Sequence, residues 1–184
     1  MSFTLPSVIL KVCQIVALAA GLGCVGYFTK EFVDSIDDES YKQGRLGRQE
    51  FFLYTTGVGV VISIVGLVLN FNGLINKKHN AAAMAAVQGI WTIQLLVTTS
   101  LITVVFSSFN NKDETVVFSS FNNTDEYLIP VPSKSQCKVW DDTPNRKYDY
   151  TCGQLIGGIV SGFIAAILYG MDAIFTFTTS KEQS

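Results

Sequence analysis

Charged positions are missing from four long blocks of this chain. Residues 12–29, 51–76, 81–106 and 150–171 contain no Asp, Glu, Lys or Arg, so half of the polypeptide carries no ionised side chain. A helix rising about 1.5 Å per residue needs roughly 20 apolar residues to cross a hydrocarbon layer of about 30 Å, and each block is long enough to do so with some tilt. The pattern predicts an all-α fold, an integral membrane four-helix bundle formed by residues 1–184 as one four-span domain. The predicted spans are about 8–29, 51–75, 82–107 and 153–178, with outer loops at 30–50 and 108–152.

Composition agrees with lipid as the medium. Of 184 residues, 48% are apolar and only 15% charged, with mean hydropathy +0.34, whereas soluble domains carry about 25% charge. With so little extended polar sequence, a Rossmann, kinase-like or hydrolase domain is not expected. A net charge of −2 offers no basic surface for nucleic acid. His79 is the sole histidine, and the cysteines stand apart at 13, 24, 137 and 152, so neither a zinc site nor a cofactor is expected. No nucleophile, base or metal constellation points to catalysis.

The connections fix the hairpins. Ala17-Leu18-Ala19 has the small-residue look of a signal-peptide cleavage site, but the apolar run continues to Phe28, which suits an uncleaved span. The 30–50 loop is dense in charge, with Asp34, Asp37, Asp38 and Glu39 set against Lys42, Arg45 and Arg48. Lys77-Lys78-His79-Asn80 leaves room only for a tight turn, so spans two and three form an antiparallel pair. In the second large loop, Pro130, Pro132 and Pro144 break any helix. That loop contains a tandem repeat: VVFSSFNNKDET at 104–115 returns as VVFSSFNNTDEY at 116–127. We read it as a local duplication, tolerated because loops accept insertions at small entropic cost. A short hairpin is the alternative, given the strand-like Val-Val-Phe-Ser-Ser-Phe.

Two features place the second loop in an oxidising compartment. Cys137 and Cys152 are the only cysteines outside a span. A bridge between them closes a loop of about 16 residues, worth on the order of 3 kcal/mol in the chain-entropy model, and such bridges persist in secretory and extracellular space. Asn122-Asn123-Thr124 matches the N-glycosylation acceptor pattern at Asn122. Both put the termini and the Lys77 turn in the cytoplasm and both large loops outside, in the plasma membrane or in secretory or vesicle membranes. The positive-inside rule adds little: Lys11, Lys77, Lys78 and Lys181 fall inside, and the other Lys and Arg residues outside.

Helices in lipid associate where small residues let backbones approach. Gly158, Gly162, Ala166 and Gly170 form one ladder on span four, and Gly153, Gly157, Ser161 and Ala165 a second. Span one offers Ala17 with Gly21 and Ala19 with Gly23, and span two Gly59 with Ser63. Packing within one bundle is the expected use of these faces, and homo-oligomer formation is the other. Gln88 and Gln94 are expected to hydrogen-bond across helices as intramembrane polar groups. Asp172 falls at the cytoplasmic boundary if span four starts at Tyr150. If it starts near Leu155, Asp172 is buried by more than a turn and needs a partner; otherwise it is expected to stand alone. Tyr27, Phe28, Phe51, Phe52, Tyr148 and Tyr150 are expected to ring the outer interface, and Phe71, Phe175 and Phe177 the inner one. Cys13 lies near the inner face, where packing or palmitoylation are the two readings.

The layout resembles the MARVEL-domain tetraspan proteins, the group that includes plasmolipin, physins, gyrins and occludin. The likeness is carried by Arg48-Gln49-Glu50-Phe51-Phe52-Leu53-Tyr54 and by the stretch from Gly162 through Tyr169-Gly170-Met171-Asp172 to Phe175. It implies membrane lipids and other membrane proteins as partners, and a role in membrane apposition, vesicle trafficking or junction organisation. A claudin would show a Trp and two Cys in its first loop, which residues 30–50 lack. A tetraspanin would show Cys-Cys-Gly, of which only Cys152-Gly153 is present. The leading expectation is a non-enzymatic scaffold, the runner-up a channel or transporter component or auxiliary subunit. Peptide-N-glycosidase treatment and Asn122→Gln should each shift the mobility of the expressed protein. Labelling of Lys77 from outside the cell would invert the topology.

Overall fold

The computed structural model describes residues 5–34, 47–73, 78–110, 137–138 and 151–182. Four helices account for nearly all of them: α1 Leu5–Asp34, α2 Gly47–Phe71, α3 Lys78–Asn110 and α4 Cys152–Glu182. No strand occurs among the described residues. All four are long and apolar enough to cross a membrane. Each packs against its chain neighbours, and α4 closes the ring against α1.

The ends of the helices have local causes. Pro6 sits in the first turn of α1, where its missing N–H removes no intrahelical bond. The helix runs past the expected boundary at 29 because Phe32 stacks on Phe28 at 5.6 Å and meets Phe109 edge-on at 6.1 Å. The same contact draws α3 beyond 107. α2 stops earlier than expected, at Phe71, because Gly73 adopts φ +67° and its N–H returns to Asn70 O at 3.1 Å; only a residue without Cβ takes that conformation freely. Lys78, His79 and Asn80 are already helical, so the turn precedes them. At the start of α4, Thr151 and Gln154 form a reciprocal cap, with Thr151 N donating to Gln154 Oε1 and Gln154 N to Thr151 O. Cys152 follows the cap and is bridged to Cys137.

Exposure is inverted relative to a water-soluble bundle. Ile93 and Ile174 are 65% and 67% exposed, whereas Lys11 and Asp172 are 0%. Such an aliphatic exterior would be unstable in water and is what hydrocarbon requires. Threonines and serines that face outward bind their own helix: Ser100 donates to Leu96 O, Ser108 to Val104 O and Thr178 to Ile174 O. Their hydroxyls therefore meet lipid already satisfied.

The small residues of α4 serve two neighbours. A Cβ on Gly158 would overlap Val25 Cγ2 of α1, and one on Gly157 would lie 3.1 Å from Cys24 Sγ. Ser161 Oγ in turn lies 2.8 Å from where a Cβ on Gly21 would stand. A Cβ on Gly162 would lie 2.5 Å from Thr99 Oγ1 of α3, and one on Gly170 3.6 Å from Thr92. Ala165 and Ala166 are buried, and Gly153 is exposed at the helix start. In the half of the bundle near the disulfide, Val25, Phe28, Phe52, Ile102 and Leu155 fill the centre. This corrects the expectation for Phe28 and Phe52: both are core residues, because they point inward at the level where the four helices meet. Tyr27, Phe51, Phe71 and Phe177 are exposed as interface aromatics would be, Phe175 is half-buried, and Tyr148 and Tyr150 lie outside the described residues.

Gly158→Ala and Gly162→Ala should each destabilise the protein by about 1–3 kcal/mol, the usual cost of overpacking. Gly23→Ala and Gly89→Ala, whose Cβ would meet nothing within 4 Å, should leave stability unchanged or raised. Thermal unfolding in one detergent reads both.

Candidate functional site

Beyond the apolar half, toward the end carrying the α2–α3 turn, the bundle interior becomes polar. Ser7, Lys11 and Gln14 follow one stripe of α1, and Ser63 and Asn70 one stripe of α2; Gln88 comes from α3, and Asp172 and Thr176 from α4. All are buried. Their centre is an ion pair: Lys11 Nζ lies 2.6 Å from Asp172 Oδ2, with both side chains at most 1% exposed. The pair is seated by a close helix approach, since a Cβ on Gly66 would lie 2.9 Å from Lys11 Nζ and 2.8 Å from both Lys11 Cε and Met84 Cε.

Two amides complete the carboxylate. Gln14 Nε2 donates to Asp172 Oδ2 at 3.0 Å and Gln88 Nε2 donates to the same oxygen at 2.9 Å. Gln14 Nε2 also donates to Leu168 O at 3.2 Å. One oxygen thus receives two amide donors and faces an ammonium, the arrangement that stabilises a buried carboxylate. Above it, Ser63 Oγ donates to Gln14 Oε1 at 3.2 Å and contacts Tyr169 Oη at 2.6 Å, and Tyr169 Oη donates to Gly59 O. Two hydroxyl protons serve three contacts, so only two of the bonds form at once. The chain can order as Tyr169 to Ser63 to Gln14, or with Tyr169 turned to Gly59. Trp91 Nε1 donates to Thr55 O at 3.2 Å, fixing α3 on α2 beside Gly59.

These positions revise the reading of Asp172. It is neither at the boundary nor alone: it is wholly buried, and its partner is Lys11. Lys11 had passed for a cytoplasmic flank because the charge-free block begins one residue after it. Gln88 belongs to the cluster, whereas Gln94 is half-buried and outside it. Gln14, Ser63 and Tyr169 were missed as polar groups; a Lys, a Gln and an Asp inside nominal spans were the only available signal. Among the described residues, no group of three or more His, Cys, Asp or Glu is placed to hold a metal ion. Cys13 is exposed on α1 and Cys24 half-buried. Asn122 and the repeat beyond Asn110 lie outside the described residues.

Residues 2–175 match the MARVEL family, described as a membrane-associating domain. The chain belongs to the MARVEL family. No curated protein and no solved structure matches it. As a MARVEL protein it is membrane-associated, its described residues are helical with four apolar helices among them, and its disulfide joins Cys137 in the second loop to Cys152 at the start of α4.

Breaking the ion pair in this MARVEL protein leaves a buried charge uncompensated. Lys11→Met or Asp172→Leu alone should therefore cost about 3–5 kcal/mol. The double substitution should recover most of the loss, as apolar replacements of buried pairs do. Unfolding monitored through detergent-solubilised monodispersity gives the three values. Equal losses in the single and double variants would remove the pairing energy.

Proposed function

We propose that this MARVEL protein is a non-enzymatic tetraspan scaffold that organises membrane subdomains, cell junctions or vesicle trafficking through helix–helix and outer-loop contacts. The observation that carries this is the closure of the bundle. Phe28, Phe52, Ile102 and Leu155 fill the centre of one half to 0% exposure, while the outside is aliphatic and suited to lipid and to other membrane helices. A filled centre supports a passive element over a conduit.

Orientation follows from redox chemistry. The Cys137–Cys152 bridge supports an oxidising compartment for the second loop, and an even number of spans then puts both termini and the α2–α3 turn in the cytoplasm. The plasma membrane and secretory or vesicle membranes satisfy that condition. Glycosylation at Asn122 and self-association between protomers belong to the same reading.

The buried charges favour one other role. An intramembrane Lys–Asp pair with amide and hydroxyl neighbours is the chemistry used along ion or proton paths, so the runner-up is a channel or transporter component or auxiliary subunit. The two separate experimentally. In liposomes the scaffold carries no selective flux, and a tagged copy in cells concentrates at contacts, on vesicles or in one membrane domain. A selective conductance abolished by Lys11→Met with Asp172→Leu would defeat the scaffold.

A further inference from the structure

The interior of the bundle changes character along its length. From the disulfide end its hydrophobic core reads Val25, Phe28, Phe52, Ile102 and Leu155, then Leu18, Leu95, Ala165 and Ala166. The polar side chains buried beside it are uncharged, and Thr29, Thr56, Thr98 and Ser161 donate to carbonyls of their own helices. From Tyr169 onward the interior is mainly polar to the opposite end, with Ala81, Met84 and Ala85 of α3 buried among the polar side chains. On α1 the polar stripe runs from Gln14 through Lys11 to Ser7, about 10 Å of helix, and Ser7 is two residues from the start of α1. On α2 it ends at Asn70, next to the helix terminus at Phe71. The polar column therefore reaches the turn end of the molecule and stops short of the other.

Within this column four buried atoms lack a hydrogen-bond partner from the protein: Lys11 Nζ, Asp172 Oδ1, Gln88 Oε1 and Asn70 Nδ2. Lys11 Nζ meets Asp172 Oδ2 at 2.6 Å, and an ammonium carries three N–H donors, so two remain for other acceptors. The first three atoms belong to groups held within 2.6 Å and 2.9 Å of one carboxylate oxygen. In a hydrocarbon surround each unsatisfied group costs several kcal/mol. An ammonium donor beside a carboxylate and an amide oxygen offers the two to four polar partners that a bound water requires. Among the described residues, the other buried oxygens without a partner, those of Gln49, Thr55 and Thr99, lie beyond Gly59 toward the disulfide end, away from the ion pair.

We propose that the Lys11–Asp172–Gln88 cluster is an internal hydration site, in which bound water links the ammonium to Asp172 Oδ1 and Gln88 Oε1. Water reaches it only from the turn end, past Ser7, Asn70 and Thr176. The layer of Phe28, Phe52, Ile102 and Leu155 closes the column, so one protomer is a blind, one-sided polar well and not a pore. This holds whichever role the scaffold reading assigns.

The test uses the full chain, isotope-labelled, in lipid bilayers, with magnetisation transferred from water in solid-state NMR. The Lys11 ammonium and the side-chain amides of Gln14 and Gln88 should receive it as fast as exposed amides at the helix ends. The backbone amides of Phe28, Ile102 and Leu155 should receive it several-fold more slowly. Asn70→Leu should slow transfer to Lys11 several-fold while leaving the backbone spectrum in place. Transfer to Lys11 and Gln88 as slow as to Leu155 would overturn the hydration site. Equally fast transfer to the Phe28 layer would overturn the blind end, and an unchanged rate in Asn70→Leu would overturn the route.

Discussion

Two opposite charges sit 2.6 Å apart, both wholly buried among four apolar helices. Lys11 belongs to the first span and Asp172 to the last, so the contact joins the two ends of the chain's path through the membrane. Each charge alone in a bilayer costs at least about 2.5–3.5 kcal/mol on insertion scales. The pair repays that only in one register, because Gln14 and Gln88 must reach the same carboxylate oxygen. Sliding α4 by a turn against α1 would separate them by about 5 Å. The ring of four helices is thus locked by electrostatics where its sides are held by packing.

Packing makes that register reachable. Lipid gives helices no reason to associate through apolarity alone, so close approach depends on missing side-chain atoms at Gly158 and Gly162 on α4, at Gly21 on α1 and at Gly66 on α2. Gly66 has a double part, since the space a Cβ would fill is occupied by the end of the Lys11 side chain. Dispersion contacts in the apolar half and hydrogen bonds in the polar half then act on different lengths of the same helices. The result is a bundle whose two ends differ in chemistry inside although its exterior is mainly apolar at both. For a MARVEL-family membrane protein, that asymmetry gives the two membrane faces different neighbours: a disulfide-anchored loop on one and a polar mouth on the other.

Much of this was legible in one dimension, and the rest was not for a definite reason. The spans follow from charge-free runs, because a bilayer selects on hydropathy along the chain. The Cys137–Cys152 pairing follows from their being the two cysteines outside spans. Helix ends were less legible: Phe32 and Phe109 extend α1 and α3 by an edge-on contact across helices, and Gly73 ends α2 by a conformation that no hydropathy profile records. The roles of Lys11, Phe28 and Phe52 were misread, since a residue near a span's end is indistinguishable from a flank until its direction is known.

Direction around the helix is what the sequence leaves open. Gln88 and Gln94 are the same residue type on the same span, yet only Gln88 meets Asp172, and nothing in their local text separates them. By itself the sequence determined the medium, the number of spans and the covalent staple, because these depend on composition and on order along the chain. The tertiary structure alone decided that a lysine and an aspartate from opposite ends of that order share one buried site. The reason is that lipid penalises every polar group alike, and only a neighbouring helix, at one azimuth and one depth, can relieve the penalty.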